Sequence, residues 1–328
     1  MHILVIGAAG MVGRKLVAAL ITKGEIGGKP IDRLSLADIV APAAPRFNGQ
    51  VDTIAADLSD PGIAKRLIAA RPDLIFHLAA IVSGEAETDF EKGYRVNLDG
   101  TRELFEAIRQ EGRKKPYAPK LVFTSSIAVF GEPLPEIIGD TQSQTPLTSY
   151  GTQKAICELL LADYSRRGFF DGIGIRLPTI VIRPGMPNKA ASSFFSSILR
   201  EPLVGQEAVL PVSESVRHWF ASPRAAVKFL EHAAELDTAP LGNRRSLTMP
   251  GLAATVGDEI EALRRIAGDK AAKLIRREPD EAIAKIVSGW PQNFNASRAT
   301  GLGFKAENSF DEIIRAHVED ELDGELPA

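Results

Sequence analysis

The chain has almost no cysteine. Cys157 stands alone among 328 residues, which excludes a disulfide frame and a Cys-rich metal site. No metal is expected. Charge of one sign is also lacking. With 39 Lys and Arg against 42 Asp and Glu, the formal net charge is −3, so no basic field invites nucleic acid or an anionic membrane. No apolar stretch approaches the ~20 residues that span a bilayer. Internal repeats and low-complexity segments are absent too. The first residues do not read as a leader, because Met1-His-Ile-Leu-Val-Ile runs as a strand into a glycine turn. A cytoplasmic location is the expectation. What is present is ordinary for a globular chain: 45% apolar and 25% charged residues.

The pattern along the chain is strand, turn, helix, repeated. Residues 2–6 are apolar and β-rich, and 11–23 read as a helix. The second to fourth strands are predicted over 34–38, 51–56 and 73–79, and a long helix over 88–113. A fifth strand over 120–124, a helix over 149–167 and a sixth strand over 172–182 follow, with 23–30 as a loop. This alternation predicts an α/β fold with a doubly wound parallel sheet. After residues 183–185 the rhythm breaks. Helices are predicted over 191–199, 223–235, 255–267 and 310–321, and a strand over 216–220. The simplest division is a dinucleotide-binding domain over 1–180 and a smaller substrate lobe over 181–328, with 216–236 returning to the first domain.

Gly7, Gly10 and Gly13 sit between the first strand and the first helix. In that context the first glycine makes a tight turn, the second lets backbone approach a pyrophosphate, and the third lets helix pack on strand. Asp38 ends the second strand, where a carboxylate accepts from a ribose 2′-OH and repels a 2′-phosphate. NAD is therefore expected over NADP. Asp57 and Leu58 follow the third strand; Asp57 reads equally as an adenine neighbour and as a helix cap. Leu78, Ala79 and Ala80 leave room for a cofactor at the end of the fourth strand, while His77 reads as a packed strand residue. Tyr150 and Lys154 stand four residues apart on a predicted helix and so share a face. With Ser126 upstream they form the machinery of alcohol oxidation. The ammonium is expected to favour phenolate, making Tyr150 a usable base near neutral pH. Asn97 reads either as the holder of a proton-relaying water beside Lys154 or as an amide bonding helix backbone. Arg183 and Arg217, in the later lobe, can each fork onto a carboxylate or phosphate, and each also reads as a solvated Arg.

These residues resemble the extended short-chain dehydrogenase/reductase family of the epimerase/dehydratase type. Gly7, Gly10, Gly13, Asp38, Asn97, Ser126, Tyr150 and Lys154 carry the resemblance, which extends over nearly the whole chain. It implies a Rossmann sheet of seven strands, a C-terminal α/β substrate lobe, NAD as cofactor and a homodimer formed through two sheet-flanking helices. It also implies that Met11, Val12 and Pro178 join the cofactor-binding set. Ser83, Ser125 and Thr179 join Ser126, Tyr150, Arg183 and Arg217 around the substrate. Sugar-nucleotide epimerases typically carry Arg-Tyr-Phe-Asn after strand six, whereas this chain has Arg176-Leu-Pro-Thr179. Where they later carry Arg-Asp-Tyr/Phe-Ile-His-Val, it has Arg217-His-Trp-Phe-Ala-Ser222. The stretches 176–192 and 200–205 are similar to family members that oxidise D-erythronate, a four-carbon sugar acid. The implied activity is NAD-dependent oxidation of a C2 hydroxyl. The alternatives are a nucleoside-diphosphate-sugar epimerase using the same triad, hydroxy-acid oxidation of the L-threonine dehydrogenase type, and a non-catalytic dinucleotide sensor.

Overall fold

The computed structural model describes residues 1–185 and 192–326. They divide into two compact units. The first holds residues 1–129, 148–176 and 227–247; the second holds the described residues of 130–147, 177–226 and 248–326.

The first unit carries β1 (His2–Ile6), β2 (Arg33–Asp38), β3 (Gln50–Ala55), β4 (Leu74–His77), β5 (Lys120–Ser126), β6 (Asp171–Leu177) and β7 (Ser246–Thr248). They form one seven-stranded sheet in the order β7-β6-β5-β4-β1-β2-β3. The ladders joining β1 to β2 and β4, β2 to β3, and β4 to β5 are parallel. Parallel strands covered on both faces are apolar throughout, and Ile3, Leu4, Val5 and Ile6 are all buried. Helices α1 (Met11–Lys23), α2 (Gly100–Lys114) and α3 (Ser149–Arg166) lie between strands. Thr148 caps α3 by accepting from the Gly151 N–H at 3.0 Å. Leu104, Phe105 and Ile108 of α2, Leu121 and Phe123 of β5, and Cys157 and Leu161 of α3 share one apolar core. Strand order reverses between β1 and β4. In doubly wound sheets the crevice outside the carboxyl ends at that point is where ligands bind.

Three predicted segments come out differently, each for a local reason. The helix expected over 88–113 is broken into Phe90–Gly93, a π-helical turn Tyr94–Asp99, and α2. The wider turn lets Asn97 reach away from the helix, as described below. The strand expected over 172–182 ends at Leu177 and resumes as Thr179–Ile180 in another sheet. Pro178 between them has no N–H to give a ladder. The loop expected over 23–30 contains a small hairpin, Glu25–Ile26 with Lys29–Pro30. Gly27 and Gly28 turn it with φ of 58° and 73°, values that favour glycine at both positions. Residue 191 of the helix expected over 191–199 lies outside the described residues, as do 186–190 of the quoted stretch 176–192. The described helix is Ser193–Leu203.

In the second unit, Thr179–Ile180, Arg217–Ala221 and Leu252–Thr255 form a three-stranded sheet. Helix Val256–Ala272 packs against Ser193–Leu203 and Phe310–Glu321. Phe195, Phe220, Ile260, Leu263, Ile313 and Ile314 are core residues there. Among the described residues no helix is long and apolar enough to cross a membrane.

Glu259, on helix Val256–Ala272, is fully buried, and neither carboxylate oxygen has a hydrogen-bond partner among the described residues. Burial, with a smaller contribution from Asp258, raises its pKa well above 4.5. The folded state therefore holds a proton that the unfolded chain releases. The stability this gives is complete below about pH 4.5 and is lost as pH rises towards the folded pKa. Glu259→Gln should remove that loss. Its Tm is expected to exceed that of the unmodified protein by a margin that widens from pH 5 to pH 8. A constant margin across that range would contradict the assignment.

Candidate active site

Gly7 ends β1 with φ +95°, a left-handed conformation that favours glycine. A Cβ there would lie 2.7 Å from the Ala79 nitrogen, and one on Gly13 would lie 2.1 Å from the Gly7 carbonyl oxygen. Internal packing thus demands both glycines. Gly10 is different. A Cβ there would meet only the Gly7 oxygen, at 3.4 Å, so the protein itself leaves its surroundings open. Gly10 is the N-cap of α1, gives it no side-chain cap, and no acid occupies the first turn, which begins with Met11 and Val12. Uncapped N–H groups and the positive end of a helix dipole suit an anion.

Asp38, at the end of β2, is held beside this turn. Its Oδ2 accepts from the Ala9 N–H at 2.9 Å and its Oδ1 from the Ile39 N–H at 2.7 Å. Across the crevice, the N–H groups of Leu78 and Ala79 both donate to the Ile6 carbonyl, at 2.8 and 3.0 Å. That draws the partly buried run Leu78, Ala79 and Ala80 against the glycine turn. Asp57 is occupied by its own loop, accepting from the Ser59 N–H and hydroxyl at 2.9 and 2.6 Å. Burial would raise its pKa, but the Ser59 bonds and Arg95 outweigh that and hold it low. It is not the cap of the following helix, which is Gly62. Leu58 is buried in the apolar core.

Three consecutive residues at the end of β5 face side chains of α3, and two of them hold one by a hydrogen bond. The Thr124 carbonyl accepts from Lys154 Nζ at 2.8 Å. The Ser125 hydroxyl donates to Glu158 Oε1 at 2.5 Å. Ser126 lies near enough to the Tyr150 hydroxyl to oppose the rise in its pKa, and its own hydroxyl accepts from the Ala128 N–H at 3.1 Å. Positions 150, 154 and 158 are successive turns of one helix face, so the strand end and the helix close on each other like a seam. The predicted trio Ser126, Tyr150 and Lys154 is brought together. Ser125, expected at the substrate, is instead buried and engaged with Glu158. Ser83 begins the helix Ser83–Thr88.

The electrostatics differ from the expectation. Burial raises the Tyr150 pKa to about 12, with Ser126 acting against it. Burial lowers that of Lys154 to about 8, with Cys157 and Glu158 opposing. The ammonium lies 5.7 Å from the Tyr150 ring centroid and 4.8 Å from that of Phe123. It is aimed at the Thr124 carbonyl rather than at the phenol, so desolvation governs the tyrosine.

Asn97 is bonded through its side chain and its carbonyl. Its Oδ1 accepts from the Ile81 N–H at 2.9 Å, and its Nδ2 donates to Gln153 Oε1 at 2.8 Å. Its carbonyl takes the Thr101 hydroxyl at 2.7 Å and the Cys157 thiol at 3.3 Å. Both ends of the residue hold the protein together. His77 is packed as expected: buried, with Nε2 2.8 Å from the Thr101 hydroxyl. Burial, then the Lys154 charge, lowers its pKa to about 3, so it is neutral.

The remaining candidates belong to the second unit. Pro178 is buried. Arg183 donates to the Ser192 carbonyl and hydroxyl at 3.0 and 3.1 Å. Burial, then Arg200, lowers its pKa to about 10. Arg217 is exposed and starts its strand. Thr179 lies 2.6 Å from Nε2 of His218, a residue the sequence did not single out. His218 stacks on Phe195 at 5.3 Å and packs near Phe220 and Trp290. Burial lowers its pKa to about 4. No short-range pattern announces this group, because its members are far apart in the chain.

A family model described as NAD dependent epimerase/dehydratase family matches residues 3–235. The chain belongs to the NAD dependent epimerase/dehydratase family. It is 48% identical over 324 residues to a D-erythronate dehydrogenase of Cupriavidus necator, covering 98% of each chain. It is 43% identical to a D-erythronate dehydrogenase of Haemophilus influenzae, covering 97% of this chain and 99% of the relative. A crystal structure named as a nucleoside-diphosphate-sugar epimerase from Agrobacterium tumefaciens superposes with TM-score 0.98 at 67% identity, over 100% of this chain and 96% of that one. An L-threonine 3-dehydrogenase from Trypanosoma brucei shares the fold, with TM-score 0.84 at 22% identity over 100% and 99%.

The family's cofactor, NAD, fits what is present. The open surroundings of Gly10, the uncapped start of α1 and the fixed Asp38 carboxylate are all in the first unit. Asp38→Ser should narrow a strong preference for NAD over NADP by about tenfold in kcat/KM, ~1.4 kcal/mol. Equal kcat/KM for the two cofactors in the unmodified protein would refute the role given to Asp38.

Proposed function

We propose that this protein is an NAD-dependent dehydrogenase that oxidises the C2 hydroxyl of D-erythronate. The observation that carries the chemistry is the seam between β5 and α3, which brings Ser126 near Tyr150 and sets Lys154 one turn along, 5.7 Å from the Tyr150 ring and bonded to the Thr124 carbonyl. The two full-length relatives named D-erythronate dehydrogenase support the substrate.

In this reading Gly7, Gly10, Met11, Val12 and Gly13 bind the pyrophosphate, and Asp38 accepts from the adenosine ribose. NAD, when bound, supplies the hydride acceptor. Tyr150, as phenolate, takes the substrate hydroxyl proton while the C2 hydride leaves, so the carbinol loses two electrons and becomes a ketone. Ser126 orients the hydroxyl at the tyrosine. With its pKa near 12, Tyr150 rests as a phenol that has no place for a proton until a cation turned on it favours phenolate. Lys154, now aimed at Thr124 O, is the group within the site that does this. The substrate carboxylate calls for a cation of its own, for which Arg183 and Arg217 are the candidates. We place the protein in the cytoplasm as a homodimer formed through two sheet-flanking helices, as the family resemblance implies.

A second reading is favoured by the 67%-identical structure named as an epimerase: the same triad acting on a nucleoside-diphosphate sugar. A panel of short sugar acids and sugar nucleotides, followed by NADH absorbance, separates the two. D-erythronate should give NADH. No NADH from any short sugar acid, together with epimerisation of a sugar nucleotide, would establish the second reading. Tyr150→Phe should lower kcat by about 10²–10⁴-fold, the usual worth of a positioned base, while NAD affinity stays nearly unchanged. Near-normal turnover in that variant would remove Tyr150 from the mechanism.

A further inference from the structure

Glu158 is a buried acid one helical turn beyond Lys154, on the same face of α3. Arg176 of β6 grips it: Nε lies 2.9 Å from Oε1 and 3.1 Å from Oε2, and an Nη lies 2.7 Å from Oε2. Ser125 donates to the same Oε1. Glu158 therefore joins the three elements β5, α3 and β6, of which the first two carry Ser126, Tyr150 and Lys154. A bidentate Arg–carboxylate pair is directional as well as strong. An apolar pair would pack these elements as well, and a buried ion pair is weak evidence of stability in itself. Something other than packing is served by a charge here.

We propose that Glu158 is a positioning residue of the reaction, a buried counterion that keeps Lys154 protonated and aimed along the seam, with Arg176 setting how much of its charge Lys154 feels. Burial alone drives the Lys154 ammonium towards neutrality, and Glu158 opposes it. Cys157 opposes it too, but among the described groups facing this ammonium only Glu158 is an acid locked in an ion pair. His77 of β4 is neutral and Cys157 is held as a thiol, its pKa raised to about 11 by burial. Thr124 offers a carbonyl dipole without a full charge, and Tyr150 is a neutral phenol. The inference rests on Lys154 being the working cation of the proposed reaction, but its test needs neither substrate nor cofactor.

The test exploits sign. Glu158→Gln and Arg176→Gln break the same ion pair, so a purely structural role would move the site alike in both. An electrostatic role moves Lys154 in opposite directions. Its pKa is read on the cofactor-free protein from the 13Cε shift of labelled lysine, assigned by loss of the signal in Lys154→Arg. Glu158→Gln should lower it by about one unit, because a nearby opposite charge is lost and Arg176 is left unbalanced. Arg176→Gln should raise it, and Arg176→Lys should leave it near the unmodified value. If Arg176→Gln fails to fold, Glu158→Asp, which keeps the charge on a shorter arm, should fall between the unmodified protein and Glu158→Gln. Shifts in the same direction for both partners, no shift in either, or Glu158→Asp outside that order would overturn the proposal.

Discussion

The first unit is arranged around a cation that must live away from water. Lys154 is buried, and an ammonium in that position is costly unless its donors are met. The Thr124 carbonyl meets one, and the Phe123 ring face lies 4.8 Å away. Glu158 lies on the next turn of the same helix face. This requirement fixes where β5 must end and how α3 must be rotated against it. Tyr150 and Ser126 then meet as a consequence of the same rotation.

The sheet explains why such a site faces a dinucleotide. Strand order reverses between β1 and β4, leaving a crevice at their carboxyl ends. The glycine turn, Asp38 and the Leu78–Ala80 run are all residues that leave those ends. Polar side chains near the crevice are occupied with one another: Asn97 with Ile81 and Gln153, His77 with Thr101, Ser125 with Glu158. A rigid lining of this sort holds reacting groups in place without competing for substrate.

The cofactor half of the site was legible in the chain because its signals are local. A glycine at positive φ, an acid ending a strand and a Tyr–Lys spacing of four residues need only their neighbours in sequence to be recognised. The candidates in the second unit were less legible. Thr179 gave a departure from the epimerase pattern but no hint of His218, and the aromatic packing around that imidazole draws on residues 195, 218, 220 and 290. Pro178 could have announced the strand break, since a residue without an N–H cannot continue a ladder.

By itself, the sequence determined the α/β alternation and marked out the glycine turn, Asp38 and the Ser126, Tyr150 and Lys154 set as candidates. Periodicity and short spacings encode all of these. Only the tertiary structure decided the charges. Whether Tyr150 starts as phenol or phenolate depends on how deeply it is buried and where the Lys154 ammonium points, and both are set by contacts between β5 and α3. The same folding set Ser125 against Glu158 and Asn97 between Ile81 and Gln153. Desolvation and long-range pairing belong to no single stretch of chain, so they appear only when the strands and helices have been packed together.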